Sequence, residues 1–305
     1  MKLPTPWRAF TIVTAAALMF TACSDDTPDT TEDASPEAQD ELRIGAVPGW
    51  SDHTGIAHIY EHVLEENGYE VEVASTVDVG PAYAAVAEGD LDLYGAAWPE
   101  RAQASYWEEH QDSLEDLGII YGDAELFLAV PEYSEITSIE ELPEYAEELG
   151  GQITGIESGA GLSVLTEEEV MPHYGLDEDF ELQLSSASGM VSELDEAIEN
   201  QEEIVVTMWT PYWVVDQYEL RALEDPDEIY GEPENIHTLA RPGFTEDFPE
   251  VANMIENFSL TTEQVADLEH FMVNESDEEE PEAVEAWLDE NPEVVEQLTE
   301  ALNNS

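Results

Sequence analysis

The chain has 305 residues, enough to bury a large core and to form one to three domains. It contains 74 acidic and 6 basic residues, a formal net charge of −68, and 42% of its residues are hydrophobic. The hydrophobic share is close to that of an ordinary folded protein, and the negative charge excludes nucleic acid and anionic lipid surfaces as partners.

Three explanations compete for the acidic excess. A local acidic tail does not fit, because the excess extends along the whole chain after the first 22 residues. Calcium buffering would favour dense local ligand spacings, and the sequence has no EF-hand loop. We favour adaptation to high salt, because the chain after these 22 residues keeps four arginines and no lysine.

The first 22 residues have the pattern of a secretory signal peptide. Lys2 and Arg8 form a basic start, residues 10–20 are an apolar run, and Thr21 and Ala22 give a small-residue cleavage site. The apolar run is too short to span a membrane in the mature protein. Cys23, the single cysteine of the sequence, follows directly and cannot form an internal disulfide.

This leader resembles a bacterial lipoprotein signal, which implies that Cys23 is diacylated and becomes the mature N-terminus. A free thiol in a discarded leader is the alternative. Residues 23–41 are rich in Asp, Glu, Thr and Pro and contain no large apolar residue. We therefore predict that they form a flexible, self-repelling tether between the membrane and the folded part.

The folded part is predicted to begin at Leu42 with alternating strands and helices. Residues 42–47, 69–73 and 91–97 have the pattern of strands. One intervening helix is capped by Thr54, and the next begins at Pro81. A βαβαβ order of this kind indicates a parallel sheet with right-handed connections.

The rest of the chain is predicted to continue in the same α/β style. Residues 119–121 and 125–130 read as two strands, the second crossing into another domain, and the chain returns near Pro211. Ser188 is the predicted cap of one of the later helices. The other predicted elements are strands over 151–157, 180–184, 204–208 and 235–240, and helices over 162–171, 190–200, 248–258, 262–272 and 281–302.

Three tryptophans share one sequence context, because Trp50, Trp98 and Trp209 each follow a predicted strand. In open α/β sheets, ligands bind at the carboxyl ends of the strands. One such tryptophan is more often a core or rim residue, so the prediction depends on the repetition. Three indoles at three strand ends predict an aromatic box that holds a quaternary ammonium ion by cation–π attraction. The tryptophans at 107, 213 and 287 lack this context and are interpreted as packing residues.

From about residue 42 to its C-terminus the chain carries several short motifs, among them GDLD (89–92), AWP (97–99), GIESGAG (155–161) and WTPYW (209–213). Taken together, they resemble the substrate-binding proteins of ABC importers for glycine betaine, choline and related osmoprotectants. The resemblance implies a two-lobed periplasmic-binding-protein fold of type 2. Each lobe would contain a central, mostly parallel sheet flanked by helices, and a two-strand hinge would join the lobes.

The resemblance also implies a domain division and a set of partners. Lobe I would comprise residues 42–125 and 212–305, and lobe II residues 126–211. We expect a monomer without cofactor, metal or catalytic residues that works with the permease of an ABC importer. Its expected location is the outer face of the cytoplasmic membrane or the periplasm, where the lipid on Cys23 would anchor it.

The aromatic box of the family maps onto Trp50, Trp98 and Trp209, and Phe127 is a candidate fourth wall. Tyr212 stands where many betaine-binding members are expected to carry a histidine beside the ligand carboxylate. A tyrosine can still donate a hydrogen bond there, but it carries no positive charge at neutral pH.

Two further features point to different ligands. Asp52 resembles the residue that accepts a hydrogen bond from the hydroxyl of choline in choline-binding members. The backbone amides of Gly159, Ala160 and Gly161, at the start of a predicted helix, suit a carboxylate such as that of betaine. Glycine betaine is the main reading, and choline remains the alternative.

A remote enzymatic alternative rests on His58, Glu61 and His62, which match the H-x-x-E-H pattern of some zinc hydrolases. On a helix, the two histidines would lie one turn apart, as zinc ligation requires. The match carries little information in so acidic a chain, and we predict that the histidines lie at the edge or outside of the buried helix face. A purely structural or calcium-binding surface protein is a third alternative.

Replacing Cys23 with alanine is expected to release the protein from the membrane or to leave its leader uncleaved. The reason is that the acyl chains need the thiol as their attachment point. Mass spectrometry of the mature N-terminus checks this, and a mature protein that begins at another residue would refute lipidation.

Overall fold

One long strand, β4 (Glu115–Pro131), connects the two halves of the sheet in this computed structural model, which describes residues 41–76, 78–276 and 278–304. Its first part pairs antiparallel with β9 (Glu234–Ala240). Its second part pairs antiparallel with β7 (Val206–Thr210), and its end pairs with the short β8 (Leu220–Ala222). Because β4 changes partners in this way, it belongs to both halves of the sheet and connects them.

Beyond β4 and its partners β7, β8 and β9, the structure contains further strands and a series of helices. The remaining strands are β1 (Glu41–Ala46), β2 (Glu70–Ser75), β3 (Leu93–Ala97), β5 (Gln152–Gly155) and β6 (Glu181–Leu184). The helices are α1 (Ser51–Glu66), α2 (Val79–Glu88), α3 (Ala104–His110), α4 (Gly161–Leu165), α5 (Met171–Tyr174), α6 (Ala187–Asn200), α7 (Trp213–Gln217), α8 (Phe244–Asp247), α9 (Pro249–Glu256), α10 (Thr262–His270), α11 (Glu280–Glu290) and α12 (Pro292–Asn303).

Within the described ranges, the sheet has nine strands in the order β2-β1-β3-β9-β4-β7-β5-β6, with β8 added to β4. The pairs β2–β1, β1–β3, β5–β6 and β5–β7 are parallel, and the pairs that involve β4 or β9 are antiparallel. This mixed α/β sheet confirms the predicted fold class. The predicted lobe boundaries stay a prediction; β8, which falls in the range assigned to lobe I, pairs with the part of β4 that follows residue 128.

Helix α1 shows how the hydrophobic spacing determines packing. Ile56, Ile59, Tyr60, Val63 and Leu64 recur at helical spacing, and all five are fully buried, as the spacing predicts. The helix packs on β1, β2 and β3 on one side and contacts α10 and α11. Its N-terminus is therefore fixed at the carboxyl end of β1.

Several boundaries differ from the sequence prediction. The two strands expected at 119–121 and 125–130 are one strand, because pairing with β9 up to Ala124 is followed directly by pairing with β7 from Glu125, although the β9 register is irregular between Tyr121 and Ala124. The last predicted helix is divided into α11 and α12, since Pro292 lies at the start of a new helix after Asn291. Strand β7 begins two residues later than predicted and includes Trp209.

The predicted helix caps are also wrong at two positions. The cap of α1 is Trp50, and the Thr54 hydroxyl lies in the first turn, 3.5 Å from the Trp50 carbonyl oxygen. The cap of α6 is Ser186, whose Oγ accepts a hydrogen bond from the Gly189 amide at 3.0 Å. In both cases a helix begins earlier than its hydrophobic pattern suggests, because the first turn contains small or polar residues.

The leader and the tether up to residue 40, including Cys23, lie outside the described residues, and Glu41, the last residue of the predicted tether, is the first residue of β1. Among the described helices, none combines the length and the apolar character that a membrane crossing needs.

The four arginines of the described residues each connect separate segments. Arg221 donates two 2.7 Å hydrogen bonds to the carbonyl oxygens of Ser134 and Ile136. Arg241 pairs with Asp92 at 2.7 Å, and Arg101 pairs with Glu169 at 2.8 Å. Most acidic side chains therefore have no cation to pair with, and their mutual repulsion opposes folding.

The melting temperature is expected to rise steeply with salt, with partial unfolding in dilute buffer. Without residues 1–22 the chain keeps 4 basic and 74 acidic residues, a net charge of −70. Salt shortens the screening length from about 10 Å at 0.1 M to about 3 Å at 1 M and so relieves the repulsion. Thermal unfolding followed by circular dichroism in potassium chloride checks this. An unchanged melting temperature from dilute to molar salt would contradict it.

An aromatic cavity at the strand ends

A cavity with an empty volume of about 330 Å³, counted to its open mouth, lies where β1, β3, β5 and β7 end. Apolar side chains make up most of its lining, and Asp52 is the one ionisable group among the lining residues. The lining residues are Trp50, Asp52, Trp98, Ala102, Gln103, Leu126, Ile156, Gly161, Leu162 and Trp209. The three tryptophans predicted at strand ends are thus brought together around one space.

The Trp50 and Trp209 rings are neighbours in the lining of this cavity. Their centroids are 6.2 Å apart, and their planes are tilted by 42°. Tyr212 stacks on Trp209 with centroids 3.9 Å apart and an interplanar angle of 16°. The indole of Trp209 is therefore held between another ring and the cavity, with limited freedom to rotate.

Glu157 holds the Trp50 wall in position. The Trp50 Nε1–H donates to Glu157 Oε2 at 3.1 Å, and the Ala187 amide donates to Glu157 Oε1 at 3.1 Å. One carboxylate thus connects the start of α1 to the start of α6. Its charge also faces a helix N-terminus, where negative charge is favourable.

The Trp98 wall is held by its own loop. The Trp98 amide donates to Gln103 Oε1 at 3.0 Å, and the Gln103 amide returns a bond to the Trp98 carbonyl at 2.8 Å. Glu234 accepts bonds from the amides of Arg101 and Ala102 at 3.0 and 3.1 Å. Burial raises the pKa of Glu234 to about 7, against the lowering effect of these amide bonds.

Asp52 is almost completely buried, in the first turn of α1. Its Oδ2 accepts a hydrogen bond from the Tyr121 hydroxyl at 2.9 Å, and Oδ1 has no hydrogen-bond partner among the described residues. His53 Nε2 lies 3.8 Å from Oδ2, and burial lowers the pKa of this histidine, against the raising effect of Asp52. Burial and the Asp52 charge raise the pKa of Tyr121. The carboxylate therefore faces the cavity without a cationic partner.

The glycine turn after β5 approaches the Trp98 loop closely. A Cβ atom at Gly161 would overlap the Ala102 carbonyl oxygen, and one at Gly159 would overlap the Asp78 carboxylate. The Ala160 amide already donates to the Glu157 carbonyl at 3.1 Å. Of the three predicted turn residues, Gly161 lines the cavity, whereas Gly159 and Ala160 do not.

Two other predicted site residues lie away from the lining. Strand β4 places Leu126 opposite Trp209 and Phe127 opposite Met208. Because side chains alternate along a strand, Leu126 shares the cavity face with Trp209 and Phe127 points to the other face. Tyr212 lies behind Trp209, so its ring supports a wall and its side chain is not part of the lining.

Sequence reasoning did not identify several residues that shape this site. Leu126, Ile156 and Leu162 belong to buried apolar runs and carried no separate signal. Glu157 and Glu269 act through hydrogen bonds between distant segments, and Gln103 acts through a hydrogen bond within the Trp98 loop. Glu157 does lie inside the quoted GIESGAG motif, so a polar residue next to the glycine turn was the available clue.

The H-x-x-E-H residues lie elsewhere on α1. His58 is buried and its Nδ1 lies 2.6 Å from Glu61 Oε2, and His62 Nε2 lies 3.8 Å from Glu66 Oε2. The prediction that both histidines lie at the edge or outside is wrong for His58. In the part of the chain that the structure describes, no group of three or more potential ligand side chains is arranged to hold a metal ion.

The structure is similar to solved binding proteins over most of its length. The glycine/betaine/L-proline-binding protein ProX of Borrelia burgdorferi has a TM-score of 0.79 at 30% identity and covers 86% of this chain and 99% of its own. Lactococcal OpuAC in complex with glycine betaine has a TM-score of 0.79 at 27% identity, covering 85% and 99%. An ABC-transporter choline-binding protein in complex with choline has a TM-score of 0.79 at 25% identity, covering 87% and 93%. The fold is therefore that of the periplasmic binding proteins, the class predicted from the motifs.

Comparison of the sequence with protein families identifies the family of this chain. Residues 40–290 match the model of the substrate-binding domain of ABC-type glycine betaine transport systems, and the chain belongs to this family. The glycine betaine/carnitine transport binding protein GbuC of Listeria monocytogenes serotype 1/2a (strain 10403S) is 36% identical over 160 residues, or 52% of each chain. The alignment thus spans about half of the length of that relative. The predicted resemblance to osmoprotectant-binding proteins is confirmed.

Proposed function

We propose that this protein captures a quaternary ammonium osmoprotectant, with glycine betaine as the first candidate, and delivers it to an ABC importer. The observation that carries the proposal is the single cavity lined by Trp50, Trp98 and Trp209. A trimethylammonium group has no N–H donor, so hydrogen bonds cannot select it. Indole faces can, because their negative quadrupole attracts a diffuse positive charge.

The surrounding charges support a cationic head group. Asp52 lines the cavity, and Glu157 lies behind Trp50 at 3.1 Å from its indole nitrogen. In a buried site these negative charges attract a cation more strongly than they would in water. No arginine of the described ranges lines the cavity, so a positive ligand meets no repulsion there.

Choline is the second candidate, and one observation favours it. Asp52 Oδ1 is buried without a hydrogen-bond partner in the described residues, and the carboxylate lines the cavity. An unpaired buried acceptor is costly, and a ligand hydroxyl would satisfy it. Betaine would place its own carboxylate in the same cavity, where Asp52 repels it unless the two groups are well separated.

The transport role is supported by family membership, and it makes the protein a binding protein and not an enzyme. We further propose that residues 42–125 and 212–305 form one lobe and residues 126–211 the other, since β4 changes its sheet partners near residue 125. The lipid on Cys23 would hold the monomer at the outer face of the membrane, beside its permease.

Replacing Trp50, Trp98 or Trp209 with alanine is each expected to weaken betaine and choline binding by roughly 10- to 30-fold or more. A desolvated cation–π contact contributes about 2 kcal/mol, and lost packing adds to it. Isothermal titration calorimetry measures the effect. Trp287→Phe is the control. Trp287 is buried in α11, where its indole nitrogen donates a hydrogen bond to Asp267, so this variant should bind both ligands as the wild type does. Wild-type affinity in all three alanine variants would refute the proposal that these tryptophans form an aromatic cage around the ligand.

Replacing Asp52 with asparagine is expected to weaken choline binding more than betaine binding. The change removes both the negative charge and a strong acceptor for a hydroxyl, and it removes a repulsion toward the carboxylate of betaine. Titrations with both ligands give the ratio of the two affinities. Tyr212→Phe is the matched control, since it keeps the stack on Trp209 and should leave this ratio unchanged. An unchanged ratio in Asp52→Asn would remove the argument for choline.

A further inference from the structure

A second buried carboxyl group, Glu269 of α10, lies beside the cage. Its side chain is completely buried, and its Oε2 accepts the Trp213 amide at 3.0 Å. Its Oε1 has no hydrogen-bond partner among the described residues. A Cβ atom added at Gly55 of α1 would lie 2.9 Å from Leu268 Cδ2, so α10 packs against the start of α1, where Asp52 lies. Glu269 is therefore a second buried carboxyl group near Asp52, which lines the cavity.

The groups packed around this pair supply no positive charge. From α1 the titratable neighbour is His53, from β4 it is Tyr121, and from the segment after β7 it is Tyr212. Burial lowers the pKa of His53 and raises the pKa values of both tyrosines, so all three are neutral at pH 7. The ion pairs of the arginines in the described ranges are with other acids.

A completely buried carboxylate without a cationic neighbour is strongly unfavourable, so Glu269 retains a proton while the site is empty. Burial, reinforced by the charge of Asp52, raises the pKa of Glu269 well above its usual range. The Trp213 amide bond and the neighbouring Ser51 side chain act in the opposite direction and stabilise the charged form.

We propose that capture of a quaternary ammonium ion releases this proton, so that Glu269 makes the site respond to the net charge of its ligand. The inference rests on the proposed function. The exchange balances, because one cation enters the cavity and one proton leaves to the buffer. A quaternary nitrogen has no proton of its own to give or to accept, so the proton comes from the protein.

The sign of the pH dependence follows by linkage. Binding that releases a proton becomes tighter as pH rises, by at most tenfold per pH unit for one proton, and levels off once Glu269 is ionised in the empty site. A net cation such as choline or tetramethylammonium should release more protons than the zwitterion glycine betaine, whose carboxylate offsets part of the charge. The site therefore discriminates between these ligands increasingly at high pH.

The test is a calorimetric titration with tetramethylammonium at pH 7, carried out once in phosphate and once in Tris. Because the two buffers differ in their heat of ionisation, the difference between the two binding heats gives the number of protons released. Tetramethylammonium has no hydroxyl, which separates the charge effect from a hydrogen bond to Asp52. We expect measurable release in the wild type, less with betaine, and none in Glu269→Gln. The affinity of Glu269→Gln should be independent of pH and match that of the wild type at low pH.

Glu263→Gln, an exposed acid on the same helix, is the matched control and should release protons as the wild type does. Glu234, with a pKa of about 7 and bonds to the Ala102 amide, is the competing proton source. Release that persists in Glu269→Gln, or that is lost only in Glu234→Gln, would overturn the inference. So would wild-type binding without any buffer or pH dependence, a test that holds even if Glu269→Gln does not fold. Failure of every quaternary amine to bind would instead refute the proposed function.

Discussion

The buried carboxylate of Asp52 requires a positive charge that its described surroundings do not supply. One oxygen is bonded to Tyr121, and the other has no partner in the described part of the chain. Such a group destabilises the empty protein, and a bound cation would remove this cost. The cage, the neighbouring Glu269 and the ligand class can all be understood from this constraint.

The aromatic walls depend on side chains that hold them in place. Glu157 connects Trp50 to the start of α6, Gln103 closes the Trp98 loop, and Tyr212 supports Trp209. Trp50 is thus positioned by a distant segment, whereas Trp98 and Trp209 are positioned by residues close to them in the chain. Pre-positioned rings lose little conformational freedom on binding, which favours affinity. The absence of a Cβ atom at Gly161 lets the glycine turn, which lines the cavity, approach the Trp98 loop.

Local signals were enough for the fold class and for the three tryptophans, because strand ends and helix faces depend on spacing along the chain. They did not distinguish Leu126 from Phe127, since the face of a strand changes with every residue and the register with β7 is a tertiary property. Glu157 and Glu269 were missed because 74 acidic residues hide any single one. The predicted helix caps were wrong where the first turn of a helix is polar, as in α6, which is capped by Ser186.

A crystal structure of the complex with choline would show directly whether the three indoles hold the ammonium group. We expect the trimethylammonium nitrogen within about 6 Å of the ring centroids of Trp50, Trp98 and Trp209. We expect the choline hydroxyl at hydrogen-bond distance from Asp52 Oδ1. A ligand bound outside this cavity, or with its ammonium group directed away from the three indoles, would show that the three tryptophans do not form the binding site.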